Sequence, residues 1–62
     1  MTIEVSICNK DDHKSIEVTT VEYDRDRGHA KYISPPVEIK PHNTMTWHVH
    51  LLRDLQIREV KP

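Results

Sequence analysis

Residues 2 to 8 alternate strictly, with Ile3, Val5 and Ile7 on one parity and Thr2, Glu4, Ser6 and Cys8 on the other. A period of two belongs to a strand with one face buried and one face wet, because successive side chains leave a pleated backbone on opposite sides. Asn9 to Lys14 is polar and carries Asn and Asp turn chemistry, so it ends this strand and reads as a hairpin loop. The next strand runs from Ser15 to Tyr23, but its apolar parity changes on the way: Ile16 and Val18 share one parity, Val21 and Tyr23 the other. One inserted residue re-aims every later side chain, so the pattern predicts a β-bulge at Thr19-Thr20, or else a strand covered on both faces.

Asp24-Arg25-Asp26-Arg27 leads to Gly28, the single glycine, which is expected to close a three- to five-residue hairpin in the left-handed region. The alternating charges before it read as a solvated turn. His29 to Ile33 is a short returning strand stopped by Ser34-Pro35-Pro36; two prolines remove two backbone donors, which predicts a sheet edge or a crossing between sheets. Val37 to Lys40 alternates again and Pro41 to Thr44 is a turn. Met45 to Leu51 is the best strand of the chain, with Met45, Trp47, Val49 and Leu51 on one face and Thr46, His48 and His50 on the other. Arg53-Asp54 reads as a tight turn before a last strand through Leu55, Ile57 and Val60, with Arg58 and Lys61 interleaved. Its β-branched residues and the lack of an N-cap or a glycine stop favour strand over helix. The whole is an all-β fold, a small antiparallel meander, sandwich or barrel of about five to six short strands in one domain over residues 1–62. The expected core is Ile3, Val5, Ile7, Ile16, Val18, Tyr32, Val37, Ile39, Met45, Trp47, Val49, Leu51, Leu55 and Ile57.

Composition strengthens this reading and adds a need. Twelve residues are Val or Ile against three Leu and no Phe, a β-former excess. At 62 residues, a domain buries only roughly 60% of the surface its unfolded chain exposes. Cys8 is the lone cysteine, so no disulfide within the chain can add to that margin; a small buried hydrophobe or a strand-end residue is its expected role. A thin core with one large anchor, Trp47, and open sheet edges points to a homo-oligomer or a protein partner. The formal charge of −1 and three aromatics, Tyr23, Tyr32 and Trp47, argue against a nucleic-acid surface. No apolar run approaches the about 20 residues that cross a bilayer, and the N-terminal residues lack a basic run followed by an apolar stretch. A soluble, cytoplasmic protein is expected.

Five histidines in so short a chain are the least ordinary feature. His48 and His50 lie two apart on a strand, so their rings leave one face roughly 6.5 to 7 Å apart, within reach of one ion. With His42 across the turn and Asp54 downstream, the set would suit a divalent metal such as zinc or nickel, or iron(II); a solvent-facing histidine pair is the plainer alternative. Protonating all five histidines would move the formal charge from −1 toward +4, making a pH-sensitive face. The stretch from Lys40 to His50 followed by Asp54 resembles the first metal motif of the cupin family, with its H-x-H pair and downstream acid. His42 stands where that motif has glycine, Asp54 replaces glutamate, and no second histidine motif follows.

Other chemistry has less support. Ser6, Ser15 and Ser34 have no glycine-rich elbow, Asp11-Asp12 lies in a polar turn, and one glycine cannot build a phosphate loop. No catalytic set and no cofactor are therefore expected. Pro35-Pro36-x-Glu38, the His48-Val49-His50 strand and Arg53-x-Leu55-x-Ile57-x-Glu59 resemble the ending of small all-β proteins encoded in bacteriophage and prophage genomes. That resemblance implies an accessory role, as a virion or assembly component or a binder that inhibits a host protein. The leading expectation is a non-enzymatic, self-associating interaction module. The alternatives are a histidine-based metal-binding protein and a small binder of a host protein or nucleic acid.

Overall fold

A computed structural model describes residues 2–60; Met1, Lys61 and Pro62 lie outside the described residues. The chain forms six strands: β1 (Ile3–Cys8), β2 (Ile16–Tyr23), β3 (Ala30–Ile33), β4 (Val37–Ile39), β5 (Thr44–Val49) and β6 (Arg53–Glu59). All pairings are antiparallel and fall into two sheets, with no helix among the described residues. The all-β expectation holds, including the strand in residues 53 to 59.

β2 is the centre of the larger sheet. β6 lies along one edge in an unbroken register from Ile16 opposite Glu59 to Glu22 opposite Arg53. On the other edge β4 pairs with residues 16 to 18 and β3 with residues 21 to 23. Between those two segments β2 has Thr19 and Thr20, while the opposite chain has Ser34, Pro35 and Pro36. The extra residue predicted for β2 therefore sits across from it, where the prolines bow outward, and a separate register shift falls at Glu22/Tyr23. β2 itself is covered on both faces, as burial of Val18, Thr19 and Val21 shows. Ser34 repairs the gap the prolines leave: its N–H donates to Thr20 O at 2.9 Å and its Oγ accepts the Thr20 N–H at 2.9 Å.

The smaller sheet is a two-stranded ribbon of β1 and β5. Ile3, Val5 and Ile7 face Val49, Trp47 and Met45 respectively, and Glu4, Ser6 and Cys8 face His48, Thr46 and Thr44. The hairpin expected between β1 and β2 is thus absent, because β1 takes a partner some forty positions away. Asn9 explains the detour. Its N–H donates to Asn43 O and its carbonyl accepts from His42 N–H. Its side-chain amide donates to Lys14 O at 2.8 Å and Ile39 O at 3.0 Å, and its Oδ1 accepts from Asp11 N–H. One side chain, 4% exposed, ties the end of β1 to the end of β4 and to two turns.

Three further expectations are corrected. Arg27, with φ 59°, occupies the left-handed position expected for Gly28; Gly28 instead lets the Asp26 carboxylate approach its N–H at 2.9 Å, where a Cβ would meet that carboxylate at 3.1 Å. The β5–β6 turn is made by Leu51 and Leu52, closed by Arg53 N–H donating to His50 O, so Arg53 and Asp54 belong to β6. The buried apolar side chains among the described residues are Val18, Val21 and Ile39. Ile3, Tyr32, Met45, Leu51 and Ile57, all placed in the core by alternation, are 41% to 78% exposed. The reason is shape: the molecule measures 39 × 24 × 12 Å, and the sheets meet chiefly where β5 passes into β6, so apolar faces have little opposite them.

Candidate functional site

The histidine-rich segment lies on β5 and its two turns. His42 is in the turn Lys40-Pro41-His42-Asn43, with φ 66° and Asn43 N–H donating to Lys40 O, a type II arrangement with Pro and then a left-handed residue at the centre. Its Nε2 stands 2.7 Å from Asp12 Oδ1. His48 is exposed on the polar face of the ribbon, with Nε2 3.7 Å from Oε2 of its cross-strand neighbour Glu4. His50 has left the strand, and its Nδ1 accepts the Leu52 N–H at 3.2 Å. Asp54 is paired with Arg27 Nη2 at 2.7 Å. Each of the four candidate ligands therefore has its own neighbour, and the turn at His50 takes that ring out of the alternation that would align it with His48. Among the described residues no three His, Cys, Asp or Glu groups come together to hold one ion, so the cupin-like set does not fit a single metal. Cys8 is exposed at the end of β1, the strand-end placement.

What the structure does assemble is a charged and apolar margin along β6. Arg53 donates through Nε and Nη2 to Glu22 Oε1 at 2.9 and 2.5 Å. Arg58 Nε donates to Glu17 Oε1 at 2.7 Å, and Lys14 Nζ meets Glu59 Oε1 at 3.1 Å. Arg27 lies over the Tyr23 ring, 4.6 Å from its centroid, and also donates to Leu51 O. Leu55 and Ile57 share the face of Arg53 and Glu59, with Asp54 and Arg58 on the other face, and Ile57 is 55% exposed. An open cleft of about 580 Å³ borders Arg53–Leu55, with Ile3, Val49 and Leu51 as its apolar wall. A second, of about 410 Å³, lies at the other end of the strand beside Glu17, Arg58 and Glu59.

Two titrating groups are displaced. The N–H groups of His13 and Lys14, which donate to Asp11 Oδ2, hold the Asp11 carboxyl below its ordinary value of 3.8. The hydrogen bond and charge of Glu59 push the Lys14 ammonium above its ordinary 10.5. Both favour the charged form and fasten the β1–β2 loop in place.

The sequence offers Asp54 as a candidate ligand and Arg53, Arg58 and Glu59 as parts of a turn and a strand, but alternation marks only which face a residue takes and is silent about which edge stays unpaired. Comparison with family models, with curated proteins and with solved structures found no match.

Proposed function

We propose that this chain is a non-enzymatic interaction module that works by associating with a second copy of itself, in an accessory role of the kind implied by its resemblance to small phage-encoded β proteins. The observation that carries this reading is surface area. A compact monomer of 7.3 kDa would expose about 4,200 Å², whereas this chain exposes 4922 Å². The difference, roughly 700 Å², comes with a flat shape, 39 × 24 × 12 Å, that leaves sheet faces and their apolar side chains for a second copy to cover. Much of the exposed surface is apolar: Ile3, Ile33, Met45, Leu51 and Ile57 are all exposed, and a two-stranded ribbon such as β1–β5 has little stability of its own. Sedimentation velocity from dilute to millimolar protein tests the reading. Mass is expected to rise with concentration toward twice 7.3 kDa; a species that stays monomeric throughout would refute it.

A further inference from the structure

We infer that the seam of this association is the free edge of β6, which pairs antiparallel with the β6 of a second copy in the register that sets Leu55 opposite Ile57. The inference rests on the self-association proposed above and names its surface. The sequence of β6, Arg53-Asp54-Leu55-Gln56-Ile57-Arg58-Glu59, is complementary to its own reverse. Turned about Gln56, Asp54 meets Arg58 and Leu55 meets Ile57, while the place opposite Arg53 on that edge is held by His50.

Backbone geometry allows this register. Tyr23 N–H donates to Leu52 O and Val60 N–H to Ser15 O, which fixes alternate pairs of the β2–β6 ladder as hydrogen-bonded. Between those ends, the backbone groups of Leu55, Ile57 and Glu59 point away from β2. Leu55 and Ile57 are therefore the residues that can exchange backbone bonds across a two-fold axis, and they face each other in the charge-matched register. Shifting the pairing by one residue breaks the backbone parity, and shifting it by two keeps the parity but loses the match of Asp54 with Arg58.

The surroundings extend the complementarity. Directly opposed residues share a face, so the row Glu17–Arg58 of one copy continues as Asp54–Val21 of the other, with Arg27 reaching Asp54 from the β2–β3 turn, and its charged side chains alternate in sign. On the opposite face Val18 and Ile57 continue into Leu55 and Thr20, which covers the exposed side of Ile57. Pairing between β5 and β6 stops at the single bridge His50–Arg53, and the open cleft bordered by Arg53–Leu55 gives the other copy's chain beyond Arg58 a place to leave the edge. The other edges lack this match: β1 carries a single charge, Glu4, β5 carries no acid or Lys/Arg, and the β3–β4 edge is broken by Pro35-Pro36. β6 has no proline and no bulge, and its guard is charge, Arg53, Asp54, Arg58 and Glu59; a closed two-fold pairing sets Asp54 against Arg58, opposite in sign, and uses up the edge.

Charge reversal in separate chains tests the seam. Asp54→Lys and Arg58→Glu each place like charges opposite one another twice across the axis, and each is expected to weaken self-association at least about tenfold. Mixed in equal amounts, the two chains recover a dimer, since the new lysine faces the new glutamate and the native Arg58 and Asp54 face each other. In a Cys8→Ser background, Gln56→Cys sits on the axis in a non-hydrogen-bonded pair and is expected to form a disulfide-linked dimer with diamide, while Lys40→Cys in the same background does not. A wild-type dimer that tolerates both reversals, a loss that mixing does not recover, or a Gln56→Cys chain that fails to cross-link overturns the β6 seam and leaves self-association standing. A wild-type chain that never associates removes both.

Discussion

Asn9 and His42 show how much of a thin fold rests on single residues. Asn9 satisfies the carbonyls of Lys14 and Ile39 from a nearly closed site, and an unpaired buried acceptor costs more than the bond that served it is worth. Asn9→Ala is expected to destabilise the protein by roughly 2 kcal/mol, read as a lower urea midpoint at unchanged slope. His42 holds a left-handed φ of 66°, which a Cβ makes unfavourable. His42→Ala keeps that strain and loses the contact with Asp12, whereas His42→Gly relieves it. The glycine variant is expected to be more stable than the alanine variant by about 1 kcal/mol in thermal melts. The sequence marked both residues as turn formers. It could not show that Asn9 reaches β4, thirty positions away, or that Arg27 and His42, and not Gly28, take the left-handed positions.

At the level of elements, β2 organises the larger sheet because it is paired along both edges, and its coverage depends on neighbours that alternation does not specify. The parity change within β2 was legible as a mismatch of one residue between apolar runs; the structure resolves it by placing the extra residue at Ser34-Pro35-Pro36, on the facing chain. That solution needs the Ser34 hydroxyl. Ser34→Ala leaves the Thr20 N–H without its acceptor, and a loss of about 1 kcal/mol is expected, with faster amide exchange at Thr20 as the specific signature. Ile39, 1% exposed, is one of the few side chains to meet the rest of the core. Ile39→Ala is expected to cost about 2 kcal/mol in denaturant titrations, the low end for such truncations, since a thin structure can relax around the gap.

The whole molecule adds the dependence on pH and concentration. Asp11 is held below 3.8 in the folded protein, so its contribution is present above that value and is lost as pH falls through the folded pKa. Lys14 is held above 10.5, so its contribution is complete below that value and is lost as pH rises through the folded pKa. The stability gap between wild type and Asp11→Asn is therefore expected to narrow in acid, and that between wild type and Lys14→Gln to narrow in strong alkali, both followed by urea titration across pH. The proposed self-association would add to this plateau by mass action, so the melting temperature is expected to rise with protein concentration.

Alternation, turn chemistry and β-branched composition were enough to determine an all-β chain of about five to six short strands and the stretches they occupy to within about two residues, because those features act within a few residues. They also determined which histidines share a stretch of chain. Only the tertiary structure decided that β1 pairs with β5, that β2 is covered on both sides, and that His42, His48, His50 and Asp54 go to separate partners. It also decided that β6, beyond the His50–Arg53 bridge at its start, keeps one edge unpaired among the described residues. Pairing partners and free edges are set by contacts between distant segments, and a period-two pattern is the same whichever strand lies beside it.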